Sequence, residues 1–397
     1  MNTETLEAAK QARINAVRLA PLGRHTRYML ASYLRHFLMV TSVLLAIALT
    51  IDLWPQFQIV ATSRGSGPLD AAWNLLRFSA LRTPWLIAPF LSFAAFLGVV
   101  WSEVVHTQSG ERMLIWNSGR SPVQCLAPVL LLGLVLGASE FILDAWAGPA
   151  SMAVQMQEKL GLDGSRLDRT RLGDPAWIAL PNGLLTAQIE YGPPPVLHDV
   201  TIFRRDAEGQ LTEVAIAAVA RMQPGTGRWI LDDGHFWVAK ATPSSVPSSH
   251  DLMVPFRTRT TTLDLDPLWL SVFGMEPQYL PLGILRPLTV SDRDPESQNR
   301  YRTRLNVLYG ETLLPGAMAL LAASLCMLLL AYATPAASLV GIVFAGYLAH
   351  FATKACLLLG QTGYMSPVLA GWLVPGSLLA VSVLLLIVMG RRRISAA

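Results

Sequence analysis

The residues with the most evident chemistry in this sequence are charged side chains inside long apolar runs. Lys354 lies within one such run, Glu311 lies at the start of another, and Glu140 and Asp144 share one helical face of a third. Charged groups inside a membrane are costly, so they usually pair with one another or face a polar path. We therefore expect ion pairs between helices here, or a contact with charged groups at a membrane surface. The alternative is that each side chain simply extends to the membrane interface.

Motifs for self-contained catalysis are missing from the sequence. It contains no G-x-x-x-x-G-K-[ST] phosphate loop, no H-E-x-x-H and no paired-cysteine spacing. The seven histidines are dispersed, and the three cysteines lie in apolar runs. We therefore predict that the chain is not an enzyme and carries no metal site and no cofactor, and that the cysteines are small packing residues.

Composition indicates a membrane protein. Of 397 residues, 52% are hydrophobic and only 15% are charged, with a mean hydropathy of +0.41, whereas about a quarter of the residues in a soluble domain are charged. General disorder is excluded because the apolar content is high and the net charge of +4 is small. Six apolar runs have the length of about 20 residues that a membrane span needs: residues 29–53, 84–106, 123–147, 312–332, 336–360 and 368–389.

Basic residues flank the first and last apolar runs. Those before the first run are Lys10, Arg13, Arg18, Arg24 and Arg27, and those after the last run are Arg391, Arg392 and Arg393. Lysine and arginine near spans favour the cytoplasmic side, so we predict that both termini are cytoplasmic. An even number of spans agrees, although Arg64, Arg77 and Arg82 in the first outer loop oppose the rule.

The long segment between the third and fourth runs has a different pattern. Short stretches of alternating polarity at residues 184–191, 197–204, 211–222 and 228–239 are separated by Gly-, Pro- and Asn-containing turns. This spacing predicts an antiparallel sandwich or jelly roll. The predicted layout is an N-terminal cytoplasmic segment (1–28), three transmembrane helices (29–150), an outer β domain (151–300), three more transmembrane helices (301–390) and a basic cytoplasmic tail (391–397).

The cytoplasmic segment 107–122 lies between the second and third predicted spans. Met113, Ile115 and Trp116 lie among polar neighbours, a pattern that predicts a short amphipathic helix. Gly119 would stop this helix, and Ser121 would precede the next span. A short helix between two spans is a natural contact for a cytosolic partner, and an ordinary interfacial turn is the alternative.

Glu111, Gly119 and Ser121 form an E-x7-G-x-S pattern in this segment. The pattern resembles the cytoplasmic motif of the lipopolysaccharide export permeases, the LptF/LptG (YjgP/YjgQ) family. Further similar stretches follow in the family's order over nearly the whole chain: 27–53, Trp177, 182–183, 197–203, 209–211, 229–231, 262–267 and 363–375. The stretch 364–375 leans towards LptG. The sequence departs from some family members at Asp52, where they carry a basic residue, and in its short turn at residues 333–335.

The resemblance implies a transmembrane permease subunit of an ATP-driven exporter in the Gram-negative envelope. Such a subunit pairs with a homologous permease and with a cytosolic ATPase dimer. It extracts lipopolysaccharide from the periplasmic leaflet of the inner membrane and passes it to a periplasmic bridge protein through β-jellyroll domains. On this reading the ATPase-coupling residues are Glu111, Trp116, Gly119 and Ser121.

A lipid substrate gives the charged residues near the spans a further interpretation. Basic side chains would meet the lipid phosphates, and the candidates are Arg82, Arg302, Arg304 and Lys354. Acidic side chains would hold the helices together, and the candidates are Glu140, Asp144 and Glu311. Interfacial extension without a ligand remains the alternative for each residue.

Two other classes of protein compete with a transporter. A membrane-anchored periplasmic β scaffold would bind an envelope partner without transport, but it would need only one span. A membrane-embedded enzyme would need clustered titratable residues in the spans, and the sequence shows no such cluster. Six spans and a coupling segment therefore favour the transporter.

Overall fold

The computed structural model describes residues 23–63, 65, 67–117, 122–167, 172–192, 194–223, 227–239, 253–291, 295–330 and 333–394. It divides into a helical unit, made of residues up to Gln155 and from Pro277 onwards, and a sheet unit, Met156–Glu276. Residues 277–300, which the sequence pattern groups with the outer domain, thus belong to the helical unit. The N-terminal residues 1–22 and the end of the tail, 395–397, lie outside the described residues.

Helices account for most of the chain. In chain order they are α1 (Arg24–Leu53), α2 (Phe57–Ala61), α3 (Pro68–Gln108), α4 (Glu111–Asn117), α5 (Pro122–Ile142), α6 (Gly148–Gln157), α7 (Gly161–Arg166), α8 (Pro267–Ser271), α9 (Leu282–Leu288), α10 (Pro295–Glu311), α11 (Leu314–Leu329), α12 (Ala336–Gln361) and α13 (Pro367–Ile394). Single turns of 3₁₀-helix occur at Trp54–Gln56 and Pro277–Tyr279, and a π-helical turn at Leu143–Ala147 joins α5 to α6. Of the described helices, α7 and α8 lie wholly within the sheet unit, and α6 ends at its border.

Five described helices are long and apolar enough to cross a membrane, and a bent pair makes a sixth if it counts as one span. The five lie within Arg24–Ala61, Pro68–Gln108, Cys125–Gln157, Ala336–Gln361 and Pro367–Met389. The bent pair is Ser297–Glu311 followed by Leu314–Leu329, at 47° to each other. The expectation of a helical membrane protein with several apolar helices is confirmed.

The bent pair differs from the fourth span that hydropathy predicts at residues 312–332. Its first half, α10, is polar and contains Arg300, Arg302 and Arg304, so an apolar run cannot reveal it. The break falls at Thr312 and Leu313, immediately before Pro315 in the first turn of α11. Proline has no N–H to donate to the preceding turn, so a new helix starts here instead of continuing α10.

Small residues allow the spanning helices to approach closely. A Cβ at Gly133 on α5 would lie 2.4 Å from the Cα of Gly316 on α11. A Cβ at Gly310 on α10 would lie 2.0 Å from the carbonyl oxygen of Gly371 on α13. Such backbone contacts are typical of helix pairs inside membranes, where packing rather than the hydrophobic effect drives association.

Three of the spanning helices present mostly exposed surfaces. Within the most apolar stretch of each, only 6% of residues are buried in α1, 17% in α12 and 22% in α13, compared with 61% in α3. The core of the helical unit accordingly lies around α3, α5 and α11, with one face of α1 packed against it. The exposed apolar faces therefore require lipid or another protein as neighbours.

The sheet unit contains one six-stranded antiparallel sheet in the order β1–β2–β3–β4–β5–β6. Its strands are β1 (Ala176–Leu180), β2 (Gly183–Glu190), β3 (Val196–Arg205), β4 (Leu211–Met222), β5 (Arg228–Val238) and β6 (Val254–Thr262). Each described strand lies beside its neighbours in sequence, as in a meander. The expected β domain between the two groups of helices is confirmed as an antiparallel sheet, and the jelly-roll topology stays a prediction.

One face of this sheet is covered by the chain that follows β6. Alternate side chains such as Leu185, Leu197 and Trp229 are fully buried on it. Leu265 and Leu270 pack against the same cluster. Buried residues on one side of β1 to β5 therefore give the sheet one apolar face, whereas no residue of β6 is buried.

Candidate functional site

The short helix α4 is attached directly to the end of α3. Gly110 between them adopts a φ of +76°, a left-handed conformation that favours glycine. Its N–H donates to Thr107 O at 3.2 Å, and its carbonyl accepts from Met113 N at 3.1 Å. Gly110 therefore ends α3 and starts α4 within one turn. This places Glu111 and Arg112 against α1 and α3.

Arg112 is buried in this position and forms an ion pair with Glu103 of α3. The Tyr33 hydroxyl of α1 donates to the same Glu103 carboxylate. Arg112 and Glu103 are only 5% and 4% exposed, and the Arg112 Nε also donates to Thr107 Oγ1 at 3.0 Å. Burial lowers the pKa of Arg112, although a guanidinium remains charged at any physiological pH. Buried charges of this kind persist only when paired, so this contact fixes α4 to α1 and α3.

Glu111 makes a second, more exposed set of contacts. Its carboxylate accepts from the Tyr28 hydroxyl at 3.0 Å and from His106 Nδ1 at 2.6 Å. His106 Nε2 lies 3.1 Å from Ser32 Oγ, which lies 2.8 Å from Ser102 Oγ. The hydrogen bond from His106 lowers the pKa of the Glu111 carboxyl below its usual value of 4.5, outweighing the opposing effect of burial.

We name the set of Tyr33, Glu103, His106, Glu111 and Arg112 the α4 anchor. Its residues come from α1, α3 and α4, three elements of the helical unit. The sequence pattern identified only Glu111 of this set as a functional candidate. Glu103 and His106 are three residues apart at the end of an apolar run, so they share a helical face. That spacing is the signal that could have revealed them.

The outer face of α4 is apolar and open. Met113 is 43% exposed and Leu114 is 70% exposed, whereas Ile115 is half-buried. The side chain of Trp116, together with Gly119 and Ser121, lies outside the described residues. Of the four predicted coupling residues, the structure thus places Glu111 in contact with the spanning helices and leaves the other three undescribed.

The candidate helix-pairing residues lie in a second polar cluster inside the helical unit. Arg304 Nη2 on α10 lies 2.7 Å from Asp144 Oδ1 in the π-helical turn. Arg304 Nη1 lies 4.0 Å from Glu311, directly before the break between α10 and α11. This buried arginine therefore connects two acidic groups that the sequence pattern assigned to helix pairing.

Glu140 and Lys354 extend the same cluster. The Glu140 carboxylate is 3% exposed and accepts from the Ser92 hydroxyl of α3 at 2.9 Å. Lys354 on α12 is half-buried and interacts electrostatically with both Glu140 and Glu311. The structure thus brings Lys354 and Arg304, two of the lipid-phosphate candidates, to the three acidic residues.

The other two lipid-phosphate candidates lie in different surroundings. Arg82 is buried and binds Asp52 through two hydrogen bonds, Nε to Oδ2 and Nη2 to Oδ1, each 3.0 Å long. Its guanidinium also lies 4.5 Å from the Trp85 ring centre. Arg302 is exposed and donates from Nε to the Thr289 carbonyl at 3.0 Å. Asp52, which departs from the basic residue of some family members, is therefore the partner of Arg82.

We searched the part of the chain that the structure describes for a possible metal site. It contains no group of three or more His, Cys, Asp or Glu side chains that could hold a metal ion. Cys125, Cys326 and Cys356 are free thiols, and the last two are buried among apolar residues.

Comparison with known proteins identifies a family for this chain. A family described as "Lipopolysaccharide export system permease LptF/LptG" matches residues 27–388, which cover both the apolar helices and the sheet. The chain belongs to the LptF/LptG family. A search of curated proteins finds no match.

Membership in the LptF/LptG family identifies the chain as a permease component of lipopolysaccharide export, and therefore as part of a transporter. The apolar helices and the family together indicate a multi-pass protein of the inner membrane. The family description covers LptF and LptG jointly, so it does not distinguish between them.

Proposed function

We propose that this LptF/LptG-family chain is one half of a paired permease in an ATP-driven lipopolysaccharide exporter. Its partners would be a homologous permease, a cytosolic ATPase dimer and a periplasmic bridge protein. The family supports this proposal, and so does the sequence, which lacks a phosphate loop of its own. The permease would extract lipopolysaccharide from the periplasmic leaflet and pass it to the bridge.

The proposed topology has six spans, with the bent pair α10–α11 counted as one. Both termini would lie in the cytoplasm and the sheet unit in the periplasm. The basic residues at the two ends of the sequence support this orientation. It places α4, between the second and third spans, on the cytoplasmic side.

The exposed apolar face of α4 is the observation that carries the proposal. Met113 and Leu114 project from a helix that lies outside the spans, and the opposite side of that helix is held by buried polar contacts. An exposed apolar surface on a fixed short helix is typical of a protein contact site. In the proposed orientation, the protein that covers it is the cytosolic ATPase.

The sheet unit would carry the acyl chains of the lipid across the periplasm. Each methylene exposed to water costs about 0.8 kcal/mol, so a multi-acyl lipid needs a covered route. The apolar face of the sheet is itself packed by Leu265 and Leu270, so the support for this role is an open depression of ≈ 520 Å³ lined by Tyr191, Pro195 and Leu268. A jelly-roll arrangement continuing along this face is part of the proposal.

Charge placed on the α4 surface tests the proposal. We expect Leu114→Glu to reduce the ATPase that co-purifies with the permease by about tenfold or more, because a central interface anchor contributes about 2 kcal/mol. Glu111→Lys and a bulky residue at Gly119 should act in the same direction. Leu69→Glu is the matched control, because Leu69 is an 85% exposed leucine in the first turn of α3.

Membrane insertion and yield of each variant are measured in parallel. If the ATPase remains bound at the wild-type level to both the Leu114 and the Glu111 variants, the assignment of α4 as the docking helix is wrong. Equal loss with Leu69→Glu would show that added charge disturbs the complex nonspecifically.

A further inference from the structure

The α4 helix has contacts of two kinds with the spanning helices. Arg112, Glu103 and Tyr33 form a buried set of contacts, in which the Arg112 and Glu103 side chains are 6% and 5% exposed. Glu111, by contrast, has a side chain that is 38% exposed and shares its carboxylate between His106 and Tyr28. The first set of contacts is therefore shielded from solvent, and the second is open to it.

We propose that the α4 anchor transmits movement of α4 to α1 and α3, with Arg112 as the pivot. In this assignment Glu111 and Arg112 are positioning residues inside the permease, and Glu111 of the family motif acts on His106 and Tyr28 of its own chain. The inference rests on the proposed docking of the ATPase on α4, and it adds the route by which a displacement of α4 reaches the membrane.

The two sets of contacts differ in the free energy needed to break them. In a low-dielectric interior, separating Arg112 from Glu103 would leave two uncompensated charges, so the pair moves as one body. Glu111 loses little when its contacts open, because water replaces them at a partly exposed carboxylate. A force on Met113 and Leu114 would thus rotate α4 about Arg112. Because Glu103 is bonded to both Arg112 and Tyr33, the end of α3 that carries Glu103 and the part of α1 that carries Tyr33 would shift together.

A small cavity lies beside the pivot. A cavity of ≈ 30 Å³ is lined by Tyr33, Glu103, Arg112 and Cys125, among others. A volume of this size is close to that of one water molecule, so the pivot is not closely packed on that side. Cys125 lies on α5 and is partly exposed, whereas Cys326 and Cys356 are buried, so its thiol reports on this cavity.

The first experiment measures coupling in the assembled complex, with both permeases and the ATPase in proteoliposomes. Tyr33→Phe removes the hydroxyl that joins α1 to Glu103 and leaves the ring in place. We expect the ATP hydrolysed per lipopolysaccharide released to rise about three- to tenfold, the factor expected from the loss of one buried hydrogen bond. Tyr364→Phe is the control, because Tyr364 is 86% exposed, and its ratio should not change.

The outcomes separate this inference from the proposed function. A raised ratio with the ATPase still bound supports transmission through the α4 anchor. An unchanged ratio for Tyr33→Phe, or loss of the bound ATPase from it, overturns transmission, because the hydroxyl would then have no role or only a role in shaping α4. Absence of the ATPase from the wild-type complex would refute the proposed docking itself.

A second experiment needs no substitution near the anchor. The wild-type complex is alkylated with N-ethylmaleimide in its nucleotide-free state and after trapping with ATP and vanadate, and labelling at Cys125 is read by peptide mass spectrometry. We expect the rate at Cys125 to differ at least about threefold between the states while Cys356 stays unlabelled in both. Equal rates at Cys125 would contradict movement at the pivot.

Discussion

At the residue scale, three ion pairs with a buried arginine stand out among the described residues of the helical unit. They are Arg112–Glu103, Arg304–Asp144 and Arg82–Asp52. Removing one partner of a buried pair costs about 3–5 kcal/mol, because the other charge is left uncompensated. Arg304–Asp144 joins parts of the chain that are distant in sequence, Arg82–Asp52 joins α3 to α1, and Arg112–Glu103 holds α4 against the end of α3. Arg82 and Arg304 thus already have carboxylate partners, which sets them apart from the more accessible Lys354 and Arg302.

Lys354 is the residue at which lipid binding can be tested. We predict that Lys354→Glu lowers the lipopolysaccharide that co-purifies with the complex, because it replaces a phosphate partner by a like charge beside Glu140 and Glu311. Lys354→Gln removes the positive charge without adding a negative one, and it should give a smaller decrease. Bound lipid per complex is measured together with the apparent Tm. Unchanged lipid in folded variants would leave Lys354 as a helix-pairing residue only.

At the scale of elements, contacts between glycine backbones set the spacing of the spanning helices. Gly133 on α5 faces Gly316 on α11, and Gly310 on α10 faces Gly371 on α13. Both α10 and α11 take part, so the two halves of the bent pair are each fixed to a different neighbour. The 47° bend is therefore held from both sides of the break at Thr312 and Leu313.

A pair of alanine substitutions tests this packing. Gly133→Ala should lower the apparent Tm of the detergent-solubilised protein, because overpacking costs about 1–3 kcal/mol and the new Cβ would lie 2.4 Å from Gly316 Cα. Gly341→Ala on α12 is the control, since a Cβ there meets no atom within 4 Å. The control should be neutral or slightly stabilising, because alanine favours helix. Equal Tm values for the two variants would show that α5 and α11 do not depend on this contact.

The sheet allows an equally direct test with two adjacent positions. Ala217 on β4 is buried on the covered face, and Ala218 is exposed on the other. Photo-crosslinking residues at these positions in working complexes should label lipopolysaccharide from Ala217 in the presence of ATP and not from Ala218. Labelling from neither position would indicate that the sheet unit serves for docking, and labelling only from Ala218 would place the lipid on the opposite face.

Local patterns in the sequence predict the elements well where one pattern runs unbroken. β4 has the predicted bounds, because in the sequence Gly209 precedes and Pro224 follows the stretch from Leu211 to Met222. The sequence pattern does not indicate the polar helix α10 as the first half of a bent helix pair, because hydropathy does not register arginines that are paired inside the protein. The sequence pattern does not reveal the α4 anchor either. Tyr33 and Glu103 are 70 residues apart, and they meet only because of the way α1 and α3 pack side by side. The family motif identifies Glu111, but it does not identify Tyr28 and His106, which Glu111 contacts.

At the scale of the whole molecule, α1, α12 and α13 present exposed apolar faces. Their apolar surfaces need lipid or protein neighbours, and in the proposed orientation the exposed face of α4 lies outside the membrane, where a protein would cover it. A paired permease, a cytosolic ATPase and lipopolysaccharide satisfy these requirements together. A membrane-anchored scaffold that binds only a periplasmic protein would not need the exposed apolar surface of Met113 and Leu114 on α4.

Purification of the tagged chain from its native membrane in mild detergent tests the account most directly. Proteins and lipids that remain bound are identified by mass spectrometry. The account predicts a homologous LptF/LptG-family permease, an ATPase with a phosphate-loop motif in twofold excess over each permease, and bound lipopolysaccharide. Recovery of the chain with a periplasmic protein alone, without ATPase and without lipopolysaccharide, would contradict it and favour the scaffold.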